Sequence, residues 1–440
     1  MTATASDKKS TAARILASLT VVCAEDEEFG RRARFMEGNV RFGIDDDGWI
    51  LRFFAGRLLE IVDEYAAPTI GWDYELVGPY LDWERMWEGE LEFSRAVAPG
   101  FGSIKIRGNR TKYAGDVTAI AKLCHLLLQA AHRAFGTSLP EKPASPINSA
   151  DPWSTRNEII GRYVNVDGTR IYYETVGQNQ TGLDFLAFHS AGRDCRQWQP
   201  LGDLLAPFGR FVSFDLPGHF KSWPLPGNKC LSTMDELARF AWRFRAAIGM
   251  SAPTVLLGDS IGGNMMYQLA GDYQKEVAAI VSMQGVDYIP TQPASTRVFL
   301  DHPGINPAHN NFDRSSSLIG SRAPSAVREF IEWGTRSYSS PTLLADLTAY
   351  SGFDYRSRMD NIRCPCLLIR GRDDWIVSDE MVDATGGRLV NARALEVIKP
   401  EGVGHFPHCE QPLEVADAVA TFLKQNGLVQ EVGTASATRR

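Results

Sequence analysis

A serine, a histidine and an aspartate spaced along one chain can together cleave an acyl bond, and this sequence offers candidates for all three. Ser260 lies in "LLGDSIGG", flanked by Gly258 and Gly262 in a G-x-S-x-G pattern. An alcohol is a poor nucleophile near neutral pH, so it needs a base within hydrogen-bond reach and a carboxylate to orient that base. The apolar run Thr254 to Leu257, bounded by glycine, reads as a buried strand. From Asn264 the apolar residues return at helical spacing as Met265, Met266, Leu269 and Ala270. The local reading is therefore strand, sharp turn, helix, with Ser260 at the apex and glycines that let the two elements approach. A glycine-rich turn with a solvated serine would look the same over so short a stretch, and the surroundings must decide.

Eight histidines compete for the role of base. His125 and His132 lie on a helical pattern in the first third of the chain. His302 and His309 lie in a segment with no regular strand signal. His189 and His219 end or follow strands upstream of the serine. His405, in "EGVGHFPHCEQP", follows the last strand and precedes the last helix, where a loop can carry a side chain over the sheet edge; His408 is its rival. For the carboxylate, "RGRDDWIVS" places Asp373 and Asp374 just after a strand, and "QGVD" places Asp287 after the preceding one. The ordinary use of such aspartates is as helix caps or solvated turn residues.

The elements that must position these groups begin near Tyr163. There "RYVNVDGTRIYYETVG" alternates apolar and polar residues about Asp167-Gly168, a hairpin signal. Strand patterns follow at 184–189, 210–215, 254–257, 278–285, 365–371 and 394–402, with helical patterns between most of them. Such alternation predicts an α/β fold with a mainly parallel sheet whose ligands collect at the carboxyl ends of the strands. Residues 136–157 hold Pro140, Pro143, Pro146 and Pro152 among small polar residues, as an extended linker does. This divides the chain into an α+β segment over 1–135, the linker, a main domain over 158–428 and a tail over 429–440.

In four places, "HSAGRDCRQW", "DLPGHFKSW", "GDSIGG" and "RGRDDWIVS...GVGHFPHCEQP", the main domain resembles the α/β-hydrolase superfamily in order and spacing. The resemblance implies a nucleophile Ser260, a base His405 and an orienting acid Asp374, three residues after a strand-ending glycine, with Asp373 and Asp287 as runners-up. It further implies an oxyanion hole from the backbone N–H groups of Ile261 and Ala191. Ser190 stands where the family usually has glycine, which puts the path of that loop in question. The long interval between Asp287 and Asn361 resembles the family's helical cap, at about 288–355. Its aromatic residues include Phe299, Phe312, Trp333, Tyr338 and Tyr350; Phe312, Trp333 and Tyr338 are the candidate substrate contacts, unless such aromatics simply form the cap's own core.

The first segment carries strand patterns and then a helical pattern from Thr111 to about Ala134. Its run "LDWERMWEGELEFSRAVAPGFGSIKIRGNRTKYAGDVTAIAKL" resembles the sterol carrier protein-like domain. That resemblance implies a tunnel for apolar molecules; an ordinary core or a homodimer surface would use the same large apolar side chains.

The expected function is hydrolysis of a carboxylic ester, or a related acyl bond, of a bulky apolar or aromatic small molecule through an acyl-enzyme. No cofactor or metal is implied. Related capped enzymes with "SxGG" cleave carbon–carbon bonds of diketone-like substrates, and a non-catalytic lipid- or ligand-binding protein is the alternative of another class.

Composition bounds these readings. At 440 residues, 44% hydrophobic and 22% charged, the chain has an ordinary globular make-up and exceeds one core. A net charge of −7 without a basic stripe excludes a nucleic-acid footprint. The N-terminus lacks a signal-peptide or membrane-span pattern, and the seven cysteines form neither a disulfide framework nor a zinc pattern, as expected of a cytoplasmic protein.

Overall fold

The computed structural model describes residues 4–98, 102–139, 157–178, 183–291 and 307–429. Most of the expected linker, together with Phe299, His302 and the tail from 430, lies outside them. The chain divides into two compact units, Met1–Pro143 with Gln292–Ser317, and Ala144–Thr291 with Leu318–Arg440. No helix among the described residues is long and apolar enough to cross a membrane.

The second unit is built on the strands expected from the apolar runs. Its eight-stranded sheet has the order β13-β12-β11-β10-β8-β9-β7-β6. The strands are β6 (Ile160–Val166), β7 (Thr169–Val176), β8 (Asp184–Phe188), β9 (Arg210–Phe214), β10 (Thr254–Asp259), β11 (Val277–Met283), β12 (Cys366–Ile369) and β13 (Leu395–Ile398). The hairpin β6–β7 turns at Asp167-Gly168, both at positive φ, and pairs antiparallel, as does β7 with β9. All other pairs are parallel. The central strands β8 and β10 are buried along their whole length, which is why they read as unbroken apolar runs rather than alternating ones. Helix Ile261–Asp272 returns from β10 across one face of the sheet.

That return is steep, and glycine makes it possible. A Cβ on Gly258 would stand 2.2 Å from the Gly262 carbonyl oxygen, and one on Gly262 would stand 2.4 Å from that of Phe188. A Cβ on Gly263 would meet the Met283 carbonyl at 2.7 Å. All three obstacles are backbone, which cannot swing aside as a side chain tip can.

The first unit carries a five-stranded sheet, order β3-β2-β1-β4-β5, with β1 (Gly38–Ile44), β2 (Asp47–Phe54), β3 (Arg57–Asp63), β4 (Tyr74–Gly78) and β5 (Lys105–Gly108). β1 and β4 run parallel; the other pairs are antiparallel. Many of its aromatic residues are core, although Phe35, Phe54 and Tyr65 are exposed. Trp83, on helix Tyr80–Trp87, is fully buried, lies 4.7 Å from the Phe42 ring and donates from Nε1 to the Gly43 carbonyl at 3.1 Å. The interval expected as one cap is shared between the units. Helix Pro307–Ser316 belongs to the first, where Asp313 accepts from Arg32 at 2.6 Å and Phe312 lies under the same guanidinium at 5.6 Å. Helices Ser325–Gly334 and Ser340–Tyr350 belong to the second.

Gly258→Ala should destabilise the second unit by about 2 kcal/mol or more, because its methyl would meet fixed backbone. The urea-unfolding midpoint reads this; an unchanged midpoint would show that strand and helix can part freely.

Candidate active site

Ser260 closes β10 and opens the following helix with φ 56° and ψ −118°. The left-handed half of the map is disfavoured for a residue with a Cβ, and such strain persists only where the surroundings over-determine it. Here the Ser260 N–H is fixed to the Met283 carbonyl at 2.9 Å and the glycine contacts hold strand and helix together. Ser260 is 8% exposed, so the turn presents its side chain at the end of the sheet with little solvent around it.

His405 and Asp374, the base and acid that the family resemblance implies, lie against each other. His405 Nδ1 lies 2.7 Å from Asp374 Oδ2, and both residues are buried. A carboxylate accepts only, so Nδ1 carries the hydrogen and Nε2 the lone pair that a base requires. The second oxygen, Oδ1, accepts the Ile376 N–H at 2.7 Å, which fixes the carboxylate plane. The rival aspartates are engaged elsewhere. Asp373 accepts the Ser321 N–H at 2.7 Å, and Asp287 is held by Arg388 at 2.7 Å and Thr385 at 2.8 Å. The rival base His408 is buried, faces Gln197 at 2.8 Å and stacks on Trp198 at 4.3 Å. Burial, then the charges of His405 and Arg193, push its pKa down to about 3.

Two buried residues that the sequence reading passed over hold the histidine loop. Glu410 accepts the N–H groups of Gly404 (2.7 Å), Gly320 (2.9 Å) and Phe406 (3.0 Å), a cradle that brackets His405. Burial pushes its carboxyl up to about 7 against the pull of those three donors. Gln284, just after β11, donates to the carbonyls of Gly404 (2.7 Å) and Gly371 (3.3 Å), so one amide ties the loop before His405 to the loop before Asp374. The only sequence signal for either was position: each is polar and sits at a strand end or within the histidine loop.

The loop after β8 carries Ala191. Neither its N–H nor that of Ile261 donates to another group among the described residues, so both are available to an incoming acceptor. Ser190, in place of the expected glycine, turns its hydroxyl onto the buried carboxylate of Asp259, the residue before the nucleophile. The side chain therefore ties the two strand ends that bear the candidate donors. Burial pushes Asp259 up to about 7. Gly192, at φ 65°, supplies the tight path: its N–H reaches Asp346 at 2.7 Å, and a Cβ there would meet Leu343 at 2.8 Å. Asp346 also holds His219 Nε2 at 2.9 Å; burial opposes protonation of that imidazole, but the carboxylate raises its pKa above the ordinary value.

Of the three candidate substrate contacts, Trp333 and Tyr338 lie in the second unit and Phe312 in the first. Trp333 borders a cleft of about 310 Å³, counted out to solvent, that Arg193, Gln197, Phe330, Phe406 and Cys409 also line. A group of potential metal ligands, Asp194, Cys195 and Asp215, lies within 4.8 Å. Its carboxylates already serve Arg196 and the N–H groups of Cys195 and Lys221.

A family model described as alpha/beta hydrolase fold matches residues 185–412. The chain is similar to the biotin biosynthesis bifunctional protein BioHC of Teredinibacter turnerae, 26% identical over 273 residues, or 56% of this chain but only 45% of that longer protein. It is similar to 2-hydroxy-6-oxononadienedioate/2-hydroxy-6-oxononatrienedioate hydrolase of Burkholderia vietnamiensis, 27% identical over 60% of this chain and 96% of the relative. A third relative is the pimeloyl-[acyl-carrier protein] methyl ester esterase of Vibrio vulnificus, 24% identical over 48% of this chain and 82% of its own length.

Asp374→Asn should slow covalent labelling of the protein by a fluorophosphonate about 10³-fold, because the amide leaves His405 in the wrong tautomer. Asp373→Asn should change the rate less than about threefold. Asp287→Asn should lower thermal stability instead, since it leaves Arg388 without its charged partner. Equal slowing by the Asp373 and Asp374 variants would move the orienting role.

Proposed function

Because the chain belongs to the alpha/beta hydrolase fold family, we propose that it is a serine hydrolase of carboxylic esters, with Ser260, His405 and Asp374 as its catalytic set. The observation that carries the reading is the buried His405–Asp374 contact at 2.7 Å, on loops that follow the strand-ending turn bearing Ser260 in the chain order expected of this fold. Ser260 Oγ attacks the carbonyl carbon as His405 Nε2 takes its proton. The developing oxyanion is met by the N–H groups of Ile261 and Ala191. His405 then returns the proton to the departing alcohol, leaving an acyl-enzyme that water releases by the same steps in reverse. Asp374 keeps Nδ1–H pointed inward and stabilises the imidazolium; it stays ionised throughout.

The Vibrio relative, named an esterase of a pimeloyl methyl ester, favours an ester as the scissile group. The Burkholderia relative, covered almost end to end, favours a second reading. Its name specifies an oxo-dicarboxylate without an ester, which suits cleavage of a carbon–carbon bond beside the ketone. The same nucleophile, base and oxyanion site would serve both reactions. Trp333 and Tyr338 suit an apolar or aromatic acyl group. The first unit, with no serine–histidine–aspartate set of its own in this reading, serves to hold apolar substrate or a second copy of the chain.

Ser260→Ala should reduce turnover of p-nitrophenyl esters of graded acyl length by roughly 10³-fold or more and abolish fluorophosphonate labelling, with thermal stability retained. Near wild-type turnover in this variant would remove Ser260 as the nucleophile. Inertness of the wild type toward all esters, with cleavage of a vinylogous 1,5-diketone, would favour the carbon–carbon reading.

A further inference from the structure

Arg193 is a buried cation without an ion-pair partner among the described residues. It is 8% exposed, and no carboxylate among the described residues lies within ion-pairing distance of it. Its neighbour Arg196, by contrast, is bound through two nitrogens to Asp194 at 2.6 and 2.7 Å. Among the described residues the Arg193 side chain makes one hydrogen bond, from Nη1 to the Ile331 carbonyl at 2.6 Å, near the end of helix Ser325–Gly334. A guanidinium has five N–H donors, and buried charges are ordinarily paired because an unpaired one forfeits its hydration. Burial accordingly lowers its pKa from the usual arginine value.

Its surroundings have the form of a binding site. Arg193 lines a narrow cleft, about 310 Å³ only when counted out into open solvent, whose apolar walls are Phe330, Trp333 and Phe406. The Phe406 ring centre lies 5.0 Å from the guanidinium and 5.2 Å from the His405 imidazole, so one phenyl ring neighbours both the cation and the base. Arg193 is also two residues beyond the candidate oxyanion donor Ala191, a span of roughly 7 Å along the chain. The Tyr338 hydroxyl is shut away from solvent and has no hydrogen-bond partner among the described residues. Tyr338 follows by four residues Gly334, which lines the cleft directly beside Arg193 Nη1; burial raises the Tyr338 phenol pKa and the positive charge of Arg193 lowers it. A cation with donors to spare and an unmatched hydroxyl donor want the same complement, a group that only accepts.

We propose that Arg193 and Tyr338 form a subsite for a carboxylate borne by the substrate, so that the preferred ester carries an anionic group a few bonds from its scissile carbonyl. This inference rests on the hydrolase reading above. Asp194 also faces the cleft, but its carboxylate is bound by Arg196 rather than by Arg193. The apolar walls pack the intervening methylene chain, and Gly334 gives the guanidinium room, since a Cβ there would stand 2.6 Å from Nη1.

The test compares two esters with the same six-carbon acyl chain, mono-p-nitrophenyl adipate and p-nitrophenyl hexanoate, of which only the first ends in a carboxylate. In the wild type, kcat/KM should favour the adipate monoester by about tenfold or more, and Arg193→Met should lower that ratio about 100-fold. Tyr338→Phe keeps the ring and removes one donor; it should lower the ratio about fivefold, and it serves if the arginine variant fails to fold. A wild-type ratio at or below one, or a ratio unmoved in both variants while both esters slow together, would overturn the proposal and leave Arg193 as a clamp on helix Ser325–Gly334. A second readout needs no turnover. Adipate should raise the thermal midpoint of the wild type and not of Tyr338→Phe, and the absence of any shift in the wild type would equally overturn the subsite. Absence of turnover and of fluorophosphonate labelling, with the adipate shift present, would refute the hydrolase reading alone.

Discussion

The second unit depends on one strained residue. A serine at φ 56° costs on the order of 1–3 kcal/mol relative to a relaxed one. The strain is held by elements that cannot yield: β10 is buried on both faces, and the helix it feeds is buried along nearly all its length. Gly258, Gly262 and Gly263 are consequences of the same turn. They close strand, helix and the neighbouring β8 and β11 backbones to distances that no larger residue allows. What the strain achieves is placement, because a hydroxyl carried on a regular strand or helix would point into the core or along the surface.

Around that turn the fold spends buried polar groups, each joining two segments that sequence separates widely. Ser190 and Asp259 join the ends of β8 and β10; Gln284 joins the end of β11 to the loops before Asp374 and His405; Glu410 gathers three N–H groups about His405. Apolar packing alone fixes shape to within rotamer adjustments, whereas a buried hydrogen bond is lost abruptly when its partner moves. Loops that must agree in position are therefore tied by amides and carboxylates, and the sheet beneath them is left to leucine, valine and isoleucine.

The fold was legible because its signal is periodic. The runs at 184–189, 254–257 and 278–285 could be read as central parallel strands since both faces are covered, and Asp167-Gly168 marked the hairpin through a backbone that few other residue pairs adopt. The pairing of His405 with Asp374 was legible only through the family resemblance, since strand ends alone left Asp373, Asp287 and His408 open. Glu410, Gln284 and Asp259 were not, because an isolated polar residue shows its role only through the partners that folding brings to it. Helix Ala5–Glu25 escaped for another reason: its buried Ile15, Leu16 and Leu19 are interspersed with small residues and make only a short apolar patch in the sequence. Aromatic residues misled in the same way, since Phe312 and Trp333 look alike in the sequence yet belong to different units.

The replacement of glycine by serine at 190 shows how a departure from a family pattern can be absorbed. Glycine at that point would leave Asp259 buried with one donor fewer, and the serine hydroxyl supplies it. The loop's freedom is then provided two residues on by Gly192, whose N–H is taken by Asp346 on helix Ser340–Tyr350, while Arg193 binds helix Ser325–Gly334. Consecutive residues of the loop that carries Ala191 are thus gripped by two different helices. Swinging either helix away as a lid would uncover a buried carboxylate or guanidinium, so substrate entry is better served by side-chain motion at the cleft rim, where Trp333 is 48% exposed, than by rigid opening of these helices.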